Sequence, residues 1–422
     1  MWQHDLVTTS SVGPNRIRRT LVVLAVCATA APSTGRAQQV AFEGQAAVLL
    51  SNDRLEVTVT TLGSTVASIV LADDPEKLNP LWNPIRIARD QGRQANFSGS
   101  AGHFVCVDGF GPPSPEERAA GLPMHGEAHV VQYDTSKANE SNGSAVTLTA
   151  KLPIVQEMFT RTFHVVRGEN IIYVDSELEN LMGFDRPVNW GEHATIMAPF
   201  LEPSVTSIYL SGKRSQNRNY LLDQQGRVGT PAPAAPGPNA AGRGGAVGGQ
   251  RRLVPGEDFT WPMAPGLDGK PVDLSSAPED AHFLDHATTL LDPARALEWV
   301  AALNTRRRMV YGYLFRREDY PWVQHWDNYP NTALLVRGME FATQPYDVSH
   351  RDTVDLHAMF DTPVYRWLPA KSKIESHFLL YYARVPDGFH RIDDVRLENG
   401  QVIIEDRTAK KQVVLAASRG LK

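Results

Sequence analysis

Two cysteines, Cys27 and Cys106, are all that the 422 residues contain. A disulfide framework is therefore excluded, and a hydrophobic core must hold the fold. Long apolar runs are missing as well. No stretch approaches the ~20 residues that a membrane-spanning helix needs, so no membrane span is expected. Positive charge is not in excess either. The net charge is −5, and the densest basic run, Arg306-Arg307-Arg308, lies between apolar segments and reads as a solvated turn. No nucleic acid and no anionic membrane surface is expected as a partner. Helical periodicity is the fourth scarcity, visible only over residues 114–120 and 292–297, each enough for one short helix.

What is present begins with an N-terminal segment that reads as an export signal rather than as fold. Arg16-Ile17-Arg18-Arg19 is a positive leader, residues 21–31 are a short apolar run, and Gly35-Arg36-Ala37 offers small residues to a signal peptidase. Cleavage after Ala37 leaves a chain starting at Gln38, and an earlier cut after Ala30 is the alternative. Leu24-Ala25-Val26-Cys27 carries a bulky Val26 where a lipoprotein signal needs a small residue, so lipidation is not expected. The expected compartment is the bacterial periplasm or the exterior. Cys106 then remains alone and reads as a buried structural thiol.

Strand signals dominate the rest. Leu55, Val57 and Val59 alternate with Glu56, Thr58 and Thr60, and residues 64–71, 145–152, 159–166, 171–178, 309–315, 332–339 and 377–383 read similarly. Gly168-Glu169-Asn170 and Asn399-Gly400 are hairpin turns between such runs. With an apolar fraction of 42%, the chain is expected to be all-β, one sandwich domain over residues 38–422. Residues 230–250, almost entirely Pro, Ala and Gly, cannot bury enough apolar area to offset their ordering entropy and read as a flexible insertion in a surface loop.

Four stretches carry residues suited to chemistry: Gly121-Leu122-Pro123-Met124-His125-Gly126-Glu127; Asn189-Trp190-Gly191-Glu192-His193; Lys270-Pro271-Val272-Asp273-Leu274 leading to Leu284-Asp285-His286; and Gly338-Met339-Glu340-Phe341-Ala342-Thr343-Gln344-Pro345. Each has a bland reading beside the functional one. His125 suits a turn, His193 a satisfied core imidazole, Glu340 an outward strand position, and Asp285 a cap. Trp190 and Trp322 fit core packing and sugar stacking equally, because sugars present apolar C–H faces to aromatic rings. The His-rich spacings at 125–129 and 282–286 do not match the His-Glu-x-x-His pattern of zinc hydrolases, and no metal site is assigned.

The order of these stretches resembles the aldose 1-epimerases, the galactose mutarotase-like superfamily. His125-Gly126, the Asn189-x-x-x-His193 spacing, Leu284-Asp285-His286 and Glu340 close to Thr343-Gln344 are the residues that carry the resemblance, over roughly residues 48–384. It implies a supersandwich of antiparallel sheets with few short helices and a concave face that holds a pyranose. It implies an isomerase that interconverts sugar anomers by general acid/base ring opening, with no cofactor and no metal. By the resemblance, Glu340 is the catalytic base and His193 the acid; His125, Asp285, Asn189 and Trp190 bind substrate, with Trp322 as an aromatic surface and Arg93 or Arg89 as the early-strand arginine. One departure stands out: Ala342 holds the place directly before Thr-Gln where the family has its glutamate. A shift of two along a strand keeps the same face, so Glu340 is expected in the same cleft.

Two alternatives use the same fold. One is a non-catalytic carbohydrate-binding protein. The other is a glycan-cleaving lyase or glycosidase, with a carboxylate pair drawn from Glu127, Glu192 and Glu340. In every case the ligand is a sugar or glycan, and the oligomeric state is not legible in the sequence.

Overall fold

The computed structural model describes residues 36–140, 142–219, 251–280, 282–331 and 334–421, all within one compact unit. The insertion expected at 230–250 and residues 1–35 of the expected export signal lie outside the described residues. The first strand, Arg36–Phe42, already pairs Ala37 with Leu50. A cut after Ala37 therefore removes two strand residues, whereas a cut after Ala30 leaves the strand whole.

Strand accounts for 52% of the structure and helix for 5%. Among the described residues the strands form a 14-stranded antiparallel sheet, an 8-stranded antiparallel sheet and a three-stranded C-terminal sheet, with two small two-stranded ribbons. The large and the 8-stranded sheets face each other across one core that includes Val57, Val105, Phe159, Phe163, Val174, Tyr313, Phe341 and Leu380. A second cluster, with Tyr173, Leu314, Val402 and Ile404, fills the space between the 8-stranded sheet and the C-terminal one. Alternation along each strand produces this layering, because successive side chains point to opposite faces. The sheet architecture is the one expected from the sequence.

The local corrections are small. Residues 292–297 form a turn, in which Asp292 accepts a hydrogen bond from the Ala294 N–H (2.9 Å), and the strand Leu297–Asn304 follows. The helix expected at 114–120 is Pro115–Ala119, closed by a capping box between Ser114 and Glu117. Two further seven-residue helices, Pro84–Asp90 and His350–Leu356, were not foreseen, since each is too short to show a period. The Asn399-Gly400 turn is as expected, with both residues at positive φ (49° and 73°). Arg306, Arg307 and Arg308 sit in a turn and pair with Glu202, Glu76 and Asp387.

Strand order decides what the open face of the large sheet carries. The strand Trp190–Met197 lies between His103–Val107 on one side and the pair Leu334–Gly338 and Glu340–Ala342 on the other. Next come Trp322–Asn331, Phe283–Leu291 and Gly212–Asn217. Six segments of the chain are thus laid side by side.

Candidate functional site

Cross-strand register builds the site row by row. Gly191 faces Ala342 and Glu192 faces Phe341, so the next pair in the ladder is His193 and Glu340. Glu340 in turn faces Gln324, Gln324 faces Thr288, and Thr288 faces Gln216. On the other side His193 faces Phe104. A polar row therefore crosses five strands on one face and ends at Phe104 on a sixth. The neighbouring row on the same face holds Trp326 opposite His286.

His193 and Glu340 are in contact, Nε2 to Oε1 at 3.2 Å, and are 5% and 2% exposed. The other ring nitrogen of His193 bonds the Thr195 hydroxyl at 2.9 Å. The Phe104 ring stacks on the imidazole at 4.2 Å, and Trp326 meets it edge-on at 5.9 Å. Burial pushes the Glu340 carboxyl well above the ordinary carboxylate range, aided by the charge of Asp347. Burial also pushes His193 well below the ordinary imidazole range, aided by its neighbour His125. The two shifts have one main cause: a low-dielectric site disfavours both charges, so a neutral carboxyl beside a neutral imidazole is favoured over two separate ions.

The Ala342 departure has a steric explanation on this face. Phe110 lies directly over Gly191 and beside Ala342, in a small cluster with Phe104 and Cys106. A Cβ at Gly191 would collide with the Phe110 ring. Phe110 therefore occupies the space above the Gly191–Ala342 pair, and the carboxyl sits one same-face position away, at 340. Burial also raises the Cys106 thiol well above its ordinary range, which suits the structural role expected for it.

His125 enters from a loop above the sheet. Its φ is +66°, in the left-handed region that non-glycine residues seldom adopt. Gly126 follows it at φ +77°, where a Cβ would run into the Val107 carbonyl. The Gly111 N–H donates to His125 Nδ1 (3.2 Å), which makes Nε2 the protonated nitrogen of the neutral ring. Burial pushes this histidine down to about 4, against the pull of Asp347, so the neutral ring is the form present at neutral pH. Its ring centroid is 5.1 Å from that of His193 and 6.0 Å from that of His129. Burial holds His129 at about 3.

The remaining residues singled out in the sequence have other places. Asp285 lies on the opposite face from His286 and is bound by Arg252, through Nε (2.7 Å) and the backbone N–H (2.9 Å). It is a structural anion, not a cleft residue; period-two alternation allows only one of the pair to face the cleft. Trp190 is a core residue, fully buried, with Nε1–H donating to Glu192 and its ring edge-on to Phe159. Asn189 is occupied by His350 and by the Val364 carbonyl (3.4 Å), so it tethers the helix His350–Leu356. Trp322 is on the cleft face but buried under Phe360, ring centroids 6.0 Å apart. Arg93 is exposed and bonded to Gln91, and Arg89 pairs with Glu43; neither is brought to the pair.

Of the three glutamates considered as a carboxylate pair, only Glu340 stands on the cleft face. Glu127 accepts from the backbone N–H groups of Ile154 (2.8 Å) and Val155 (2.9 Å). Glu192 is in the core between the sheets, bound by His103 (2.7 Å), Arg161 (3.0 Å), Trp190 and Tyr320. Burial works against that carboxylate, but Arg161 and His103 outweigh it and keep it ionised.

Three cleft residues had no signal, or only an ambiguous one, in the sequence. Asp347 bonds Arg218 Nε at 2.8 Å and lies 3.0 Å from His286 Nδ1. His286 was visible only as the neighbour of Asp285. Asp347 lies three residues past Gln344 in an irregular segment, and Arg218 follows a strand end; neither has a periodicity that assigns a face.

No family of related sequences and no curated protein matches the chain. Solved structures do. A galactose mutarotase-like protein from Clostridium acetobutylicum superimposes with a TM-score of 0.55 at 10% identity, over 83% of this chain and 99% of that one. A candidate aldose 1-epimerase from Klebsiella pneumoniae gives 0.55 at 13% identity, over 83% of each chain. A galactose mutarotase related enzyme from Lactobacillus acidophilus gives 0.51 at 13% identity, over 83% of this chain and all of that one. The fold is galactose mutarotase-like, in a divergent sequence.

Proposed function

We propose that the protein is an aldose 1-epimerase-like isomerase, interconverting the anomers of a free sugar through the Glu340–His193 pair. The observation that carries this reading is the 3.2 Å contact between the two groups on the cleft face, with His125 beside them. Anomerisation needs a base at the C1 hydroxyl and an acid at the ring oxygen. Both oxygens are bonded to the same carbon, so the two catalytic groups must be close neighbours.

The chemistry balances within the pair. Glu340 takes the proton of the C1 hydroxyl while His193 gives its proton to the ring oxygen; the C1–O bond of the ring breaks and an open-chain aldehyde forms. Rotation about C1–C2 presents the other carbonyl face. In closure the ring-forming hydroxyl returns its proton to His193, and Glu340 returns its proton to the carbonyl oxygen. Without ligand, burial favours the neutral arrangement with the proton on Glu340. A sugar hydroxyl donating to the Glu340 carboxylate and a ring oxygen accepting from His193 compensate the charge-separated arrangement that starts the reaction. The neutral His125 Nε2–H is a donor for the carbonyl oxygen of the open form or for a ring hydroxyl. Trp326 and Trp82, both half-buried with ring centroids 6.1 Å apart, offer apolar faces for stacking against the sugar.

The test is NMR exchange spectroscopy or polarimetry on fresh α-D-glucose and α-D-galactose. Faster equilibration that disappears in Glu340→Gln supports the isomerase. Binding without faster equilibration supports the non-catalytic carbohydrate-binding reading. The export reading belongs to the same proposal, and the N-terminal mass of the chain recovered from a periplasmic extract tests it.

A further inference from the structure

Asp347 lies outside the acid–base pair, yet the cleft is built around it. We infer that Asp347 is the fixed anion of the cleft, accepting a hydrogen bond from a hydroxyl of the bound sugar and holding a negative charge beside Glu340. The inference rests on the epimerase reading for its ligand and on geometry for its placement.

Three observations support it. First, both of the contacts that Asp347 makes with Arg218 and His286 are on one oxygen, Oδ1. The side chain is 34% exposed, so the carboxyl keeps a solvent-facing part that a ligand can reach. Second, a single glycine fixes the loop. A Cβ at Gly111 would run into the Asp347 backbone, and the same Gly111 accepts the His125 backbone N–H (2.9 Å) and donates to His125 Nδ1. The His125 loop and the Asp347 loop are therefore held together, a donor beside an acceptor, which is what a sugar hydroxyl recognises. Third, the position is defended against neutralisation: burial opposes the charge, but His286 and Arg218 outweigh it and hold the carboxyl far below the usual carboxylate range.

The charged and titratable groups around Asp347 are Arg218 and His286 in contact, with Glu340 and His125 close enough to feel its field. Those around Glu340 are His193 in contact, Asp347, the Cys106 thiol, and Arg337 from the other face of the sheet. An anion near Glu340 favours its protonated carboxyl, and an uncharged residue at 347 releases that hold.

Two measurements on the full chain test this, using Asp347→Asn and Asp347→Glu, with near-UV circular dichroism to verify the fold. The first needs no sugar: the carboxyl of Glu340 is titrated by NMR in protein labelled with ¹³C-glutamate and assigned with Glu340→Gln. Asp347→Asn moves the titration to lower pH, and Asp347→Glu does not. An unchanged titration in Asp347→Asn overturns the inference. The second uses anomeric exchange of D-glucose and D-galactose. Asp347→Asn raises KM roughly 10- to 100-fold, the range for a lost hydrogen bond to a charged group. A single-deoxy analogue lacking the bound hydroxyl loses a similar factor with the wild type and nothing further with Asp347→Asn. An unchanged KM overturns the hydroxyl contact. If the wild type neither exchanges nor binds either sugar, the epimerase reading falls and the hydroxyl contact with it, while the carboxyl titration still decides whether Asp347 acts on Glu340.

Discussion

The carboxyl of Glu340 folds back over the α-carbon of Gly338: a Cβ at position 338 would collide with Glu340 Oε1 and come within 3.0 Å of Trp326 Cβ. Gly338 therefore provides the space in which the carboxyl reaches His193. The atom displaced is the end of a side chain, so Gly338→Ala is expected to leave the unfolding midpoint nearly unchanged while moving the carboxyl off its partner. A displacement of that kind costs on the order of 10²-fold in turnover. Anomeric exchange and thermal unfolding of the same sample separate the two effects, and a large loss of stability would show that Gly338 serves packing instead.

Glu340→Gln and His193→Asn are each expected to lower the exchange rate by roughly 10²–10⁴-fold with the fold retained. Because base and acid act in the same ring-opening step, the double variant is expected to be little worse than either single one. The rate of the wild type is expected to be level across neutral pH. It falls on the acid side only below the ordinary imidazole value of 6.5, since His193 resists a second proton, and on the alkaline side only well above the ordinary carboxylate value of 4.5, since Glu340 resists losing its proton. An acid-side midpoint at or above 6.5 would contradict a buried His193 that resists protonation.

Stability is expected to fall as the solution is acidified below about 6.5, through the cleft histidines. His129 is buried and held at about 3, so in the folded state it stays neutral where the unfolded chain already binds a proton. Its folded value lies below its unfolded value, and the stabilisation present at neutral pH is lost between about 6.5 and 3, at about 1.4 kcal/mol per pH unit. His129→Phe is expected to flatten that slope. Urea unfolding at pH 7 and pH 5 measures it, and equal slopes in the variant and the wild type would discount His129.

The glycosidase reading and the structure make opposite predictions for Glu192. Its carboxylate joins the two sheets through Arg161 and is also bound by His103 of its own sheet, in a site closed to solvent. Glu192→Gln leaves Arg161 without its counter-charge and is expected to destabilise the protein by about 3–5 kcal/mol, the range for breaking a buried ion pair. A variant of unchanged stability that lost activity on a polysaccharide would favour the glycan-cleaving alternative.

The sequence and the fold divided the information between them in a way that strand geometry explains. Period-two alternation is local, so the strand at 55–60, the pair of hairpins and the antiparallel all-β class were legible without coordinates. Motif order was enough to single out His125, His193 and Glu340, which the fold brings together from a loop and two adjacent strands. Alternation also held the one rule that separates Asp285 from His286, but not its sign: which of two neighbours faces the cleft depends on what covers the other face, here Arg252 and the 251–274 segment. Trp190 and Trp322 show the same limit, since an indole in a core and an indole in a sugar site look alike in sequence. Asp347 and Arg218 come from irregular backbone, where no period exists to read. Composition and alternation are properties of neighbouring residues, and the sequence by itself determined the layers they produce. Register, strand order and the packing of Phe110 over Gly191 and Ala342 depend on residues as far apart as 110 and 342, and only the tertiary structure decided them.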